Sequence, residues 1–83
     1  MRKEKQLDWT NRPAKTLWRV GMLVCDASKK MGWEPNEVWE KVAHMLHDSS
    51  FADYDDVANG RGISIAWDKD TVSIYMYDKE VAR

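Results

Sequence analysis

The sequence predicts an α+β fold in which two antiparallel amphipathic helices pack on a C-terminal antiparallel β-hairpin. Two observations carry the helices and one the hairpin. Apolar residues recur at three and four positions across residues 13–31 and again across 35–48, then switch to strict alternation in two runs between Ile63 and Tyr77. The chain of 83 residues has length for one domain, and 43% hydrophobic with 33% charged residues is the composition of a folded protein. Residues 1–10 are polar and unpatterned and read as a mobile arm, leaving 11–83 as a single α+β domain.

The first helix is expected over 13–31. Thr10 or Asn11 caps it, and Pro13 falls in its opening turn, where a missing N–H costs nothing. Ala14, Leu17, Trp18, Gly21, Val24, Cys25 and Ser28 make the apolar side, and Arg12, Lys15, Arg19, Asp26, Lys29 and Lys30 the polar side. Gly32 supplies the left-handed residue that ends the helix. The second helix follows at once, over 35–48, with Glu34 at the N-cap, Pro35 at the first helical position and Trp33 placed to staple onto Val38. Its apolar stripe is Val38, Trp39, Val42, Met45 and Leu46. Ser50 to Asp53 reads as one helical turn, and the stretch up to Asn59-Gly60-Arg61-Gly62 as a loop ending in a turn.

Hairpin register follows from alternation. If Trp67 faces Val72, then Ile65 faces Ile74 and Ile63 faces Met76, so all six apolar side chains share one face. That face must cover the helices, because an isolated two-stranded sheet is marginal in water. Ser64, Ala66, Ser73, Tyr75 and Tyr77 then emerge on the other face.

Charge is segregated along the chain. Residues 1–30 carry eight Lys/Arg against three Asp/Glu, residues 31–60 one against seven, and residues 61–83 four of each. Such segregation either steers association with a charged partner or is satisfied internally by an acidic helix lying against a basic one. Cys25 is the only cysteine, which excludes an internal disulfide and fits a reducing compartment. No apolar run is long enough to span a membrane and the N-terminus lacks the apolar stretch of a signal peptide, so a cytoplasmic location is expected.

Candidate chemistry is sparse. His44, His47 and Asp48 have a spacing that a metal could use together with Asp53 or Asp55, but pairing of His44 with Glu40 and of His47 with the helix C-terminus accounts for them. No metal or other cofactor is expected. Asp53, Asp55 and Asp56 read as a solvated loop, not a buried acid–base pair, and Gly60-Arg61-Gly62 precedes a strand instead of opening a helix as a phosphate loop would. No nucleophile, base and orienting group stand in recognisable context, so catalysis is not expected.

What remains is a binding surface. A partner-binding set of Glu37, Glu40, Asp53, Tyr54, Asp55, Asp56, Tyr75 and Tyr77 combines carboxylates, which can replace phosphates in a basic cleft, with tyrosines, which carry binding energy at interfaces. The leading expectation is a protein-binding inhibitor or adaptor for a partner with a basic surface, nucleic-acid-binding proteins being one class of such partner. By fold-level analogy it is similar to small acidic α+β inhibitors of such proteins, phage-encoded anti-defence proteins among them. The alternatives are a nucleic-acid-binding accessory protein using Arg12, Lys15, Arg19, Lys29 and Lys30 on the first helix, and a small homodimeric module. The helical corner does not resemble a DNA reader, since Glu34, Glu37 and Glu40 would lie where phosphates do.

Overall fold

Alternating side chains place four strands, not two, in one sheet. The computed structural model describes residues 5–56, 58 and 60–79. Along the chain it contains β1 (Lys5–Pro13), α1 (Leu17–Met31), α2 (Pro35–Asp48), β2 (Phe51–Asp56), β3 (Arg61–Trp67) and β4 (Thr71–Asp78). The sheet is antiparallel throughout, in the order β1-β4-β3-β2. The fold is therefore α+β, and the expected hairpin is the centre of a larger sheet. Its register is the one alternation requires: Trp67 opposite Val72, Ile65 opposite Ile74 and Ile63 opposite Met76.

Both edge strands depart from expectation, for related reasons. Residues 5–10, read as a mobile arm, belong with Asn11, Arg12 and Pro13 to β1, in which Leu7 and Trp9 turn toward the helices opposite Met76 and Ile74. Two apolar residues among charged ones are too weak a pattern to announce a strand. The register then shifts between Trp9 and Arg12, and Asn11 takes a left-handed φ of 53°. This is a bulge, which twists an exposed edge away from further pairing. On the other side, Phe51–Asp56 was read as a helical turn and loop but pairs along β3, sending Ala52 and Tyr54 toward the helices. Carboxylates at alternate positions hid it. Residues 1–4 of the expected arm and Asn59 of the expected turn lie outside the described residues.

The helices begin and end by local chemistry. Because Pro13 closes β1, α1 starts four residues later than expected, with the Thr16 hydroxyl accepting from the Arg19 N–H at 3.1 Å. It ends as the sequence requires: Gly32 sits at φ 79°, its N–H bonds the Lys29 carbonyl, and the Trp33 N–H bonds that of Ser28. This is a Schellman motif. Glu34 caps α2 through the Asn36 N–H, with Pro35 at its first position. The three-residue corner turns α2 back along α1, and the Trp39 ring lies against Gly21, where a Cβ would come within 3.2 Å of it.

Both helices cover one face of the sheet, α1 over β1 and β4 and α2 over β2. Val20, Val24, Val42, Ile65, Val72, Ile74 and Met76 are fully buried between the layers. Two indoles tie the layers: the Trp33 N–H donates to the Asp78 carboxylate at 3.0 Å, which Arg61 also approaches at 3.4 Å, and the Trp67 N–H donates to the Ala14 carbonyl at 2.8 Å.

The apolar side assigned to α1 holds for Ala14, Val24 and Ser28, which are buried, and fails at Trp18. Trp18 was expected in the core and is 80% exposed. Val20, Leu23, Ala27 and Met31 join Val24 among the buried residues of α1, while Gly21 lies against Trp39 of α2. Apolar residues occupy more of this helix's circumference than two neighbours can cover, so Trp18 and Met22 are left outside.

Candidate functional site

The sheet has a second face, and no helix among the described residues covers it. Its residues follow from the ladders as three rows across the strands. Gln6, Tyr77, Gly62 and Asp55 form one, Asp8, Tyr75, Ser64 and Asp53 the next, and Ser73, Ala66 and Phe51 the third. Adjacent strands lie about 4.8 Å apart, so the two tyrosines of β4 and the two aspartates of β2 are separated only by the small residues of β3. The tyrosine rings have centroids 6.2 Å apart. Phe51 is half exposed at the corner of this face, and Tyr75 is exposed beside Asp8.

Tyr77 shows how the rows are built. Its ring lies flat across Gly62, and any Cβ at that position would overlap it. The glycine is therefore there for the ring and not for a turn; the turn is made by Gly60, at φ 69°. Lying across β3 carries the phenol toward Asp55 on β2, which sits in the same row opposite Gly62. The negative charge of nearby Asp55, followed by burial and the polar influence of the same carboxylate, holds the Tyr77 hydroxyl above the ordinary tyrosine pKa, with smaller contributions from Tyr75 and Asp53. The direction of this shift marks the face as electronegative.

The shift gives a direct test of the geometry. Because the folded-state pKa lies above the unfolded one, the contribution to stability is complete at neutral pH and is lost as alkaline pH rises through the folded value. In a spectrophotometric titration one tyrosine is expected to ionise above the ordinary range, and Asp55→Asn is expected to bring it down. An unchanged titration curve in Asp55→Asn would contradict the Tyr77–Asp55 contact.

The predicted partner-binding residues divide between the two sides of the sheet. Asp53, Asp55, Tyr75 and Tyr77 are brought together on the open face. Tyr54 and Asp56 alternate with them and so point to the helical side. There Tyr54 is half-buried with the Lys41 ammonium 5.2 Å from its ring centre, and with Asp56 and Glu37 it lines a small hollow between α2 and β2. Glu40 is exposed on α2, away from the tyrosines. The acidic helix and the tyrosine pair are thus two surfaces, joined only by the acidic edge strand β2.

The basic set is also placed. Arg12 ends β1 with its guanidinium 4.6 Å from the Trp9 ring centre, while Lys15, Arg19, Lys29 and Lys30 are exposed in and before α1. His44, His47 and Asp48 are exposed on α2, and among the described residues no three His, Cys, Asp or Glu side chains are grouped to hold a metal ion. No helix among the described residues is long and apolar enough to cross a membrane. Sequence reasoning missed Asp8, Phe51 and Gly62. Of these only Gly62 left a signal, since the derived hairpin register already sets it opposite Tyr77. Compared with protein-family models, with curated proteins and with solved structures, the chain finds no significant match.

Proposed function

We propose that the protein is a non-enzymatic binding module, an inhibitor or adaptor, that applies the open face of its sheet to a basic surface of another protein. The observation that carries this reading is the grouping of Tyr75, Tyr77, Asp53 and Asp55 on a sheet face that no other element among the described residues covers. Two rings two residues apart on a central strand supply rigid contact area, and carboxylates beside them select for positive charge and speed the encounter. A cleft that receives nucleic-acid phosphates offers such a surface, with the aspartates standing in for phosphates. Glu37 and Glu40 lie on the helical side and are not part of this contact.

The test is affinity capture from the source cell with the wild-type chain and the Asp53→Lys/Asp55→Lys chain in parallel. Proteins with basic surfaces should be retained by the first, released by salt, and lost on the second, whose thermal midpoint should stay near wild type because both aspartates are exposed. Equal capture by both chains would refute the acidic contact.

A further inference from the structure

The helical side carries an apolar groove that the binding face does not use. Leu17, Trp18, Gly21, Met22, Cys25 and Trp39 line a depression of about 530 Å³ along the junction of α1 and α2. Trp18 is 80% exposed there and Met22 44%. A tryptophan left this open on a protein with enough core to bury it marks an interaction surface. The charges flanking the groove say what covers it. On one bank, α1 and the residues before it expose Lys15, Arg19, Lys29 and Lys30 against Asp26, and on the other α2 and its cap expose Glu34, Glu37, Glu40 and Asp48 against Lys41. The two banks are of opposite sign and nearly equal weight.

We infer that the groove is covered by a second copy of this chain, in a two-fold dimer whose four helices form an antiparallel bundle. The charges fix the axis. A two-fold perpendicular to the helices would stack α1 on α1 and α2 on α2, setting basic against basic and acidic against acidic. A two-fold running along the groove, parallel to the helices, sets each α1 on the α2 of the other copy. Lys29 and Lys30 then approach Glu34 and Glu37 of the second copy, Arg19 approaches its Asp48, and Trp18 and Met22 close over the groove from both sides. The open sheet faces remain on the outside of the dimer, doubling the proposed binding surface without occluding it.

Sedimentation of the full chain from micromolar to near-millimolar concentration tests this. The mass should rise toward twice that of one chain, and added salt should shift the equilibrium back toward monomer. Trp18→Ala should raise the dimer Kd about thirty-fold, and Met22→Lys should act in the same direction. Both positions are exposed, so circular dichroism should stay that of the wild type. Lys29→Glu/Lys30→Glu and Glu37→Lys/Glu40→Lys should each weaken association, and an equimolar mixture of the two variants should recover it, because every acidic bank then meets a basic one. A monomer at all concentrations, or a dimer indifferent to Trp18→Ala and Met22→Lys, overturns the inference. A dimer that weakens with Trp18→Ala but ignores both charge reversals overturns the assigned axis.

Discussion

Ile74→Ala is expected to lower folding stability by about 2–4 kcal/mol, through lost burial and the cavity left behind. Ile74 lies on β4 between β1 and β3, opposite Trp9 on one side and Ile65 on the other, and is fully buried under the helices. Ile65, its partner across the ladder, should behave alike, and the two losses should not add, since each variant opens the same region. Denaturant unfolding measures this directly. A loss within about half a kcal/mol would mean that the centre of the sheet is not where the core is packed, and the face assignment of Tyr75 and Tyr77 would fall with it.

That face assignment was legible in the sequence, and the reason is physical. β3 and β4 alternate β-branched or large apolar residues with small or polar ones, so any slip by one residue would expose Ile65 and Ile74 and only one register survives. The helix corner was legible for a similar reason: Gly32 and Pro35 each permit few backbone conformations, and together they leave room for little except an end followed by a beginning. The edge strands were not legible. β2 turns only Ala52 and Tyr54 inward among aspartates, and β1 only Leu7 and Trp9. Edge positions favour such charged residues because they discourage pairing with other chains, and the same charges erase the apolar pattern that reveals a strand. The candidate site inherits this division. Tyr75 and Tyr77 could be placed together from register alone. Their juxtaposition with Asp53 and Asp55 depends on β2, and the separation of Tyr54 and Asp56 from them follows from the same strand, whose alternation sends neighbouring residues to opposite sides.

Trp18 illustrates a different limit. Its spacing to Leu17, Gly21 and Cys25 is that of a core residue, and nothing local distinguishes that stripe from the one through Val20, Leu23, Val24, Ala27 and Met31. The sheet decides between them by taking the side with more branched aliphatic surface. The rejected stripe is what remains for association.

The largest functional effect is expected from the paired variant Tyr75→Ala/Tyr77→Ala. Each ring alone should account for roughly ten- to hundred-fold in partner Kd, chiefly through faster dissociation, because the carboxylates that steer the encounter remain in place. The fold should tolerate the change far better than it tolerates Ile74→Ala, since both rings project from the uncovered face while Ile74, Met76 and Val72 still fill the other. Surface plasmon resonance of the captured partner on wild-type and doubly substituted chains, beside a thermal melt of each, is the most direct measurement of the account. It predicts a chain that melts near wild type, associates at a similar rate and no longer holds its partner; a folded double variant with wild-type Kd would contradict the assignment of the open sheet face as the binding surface.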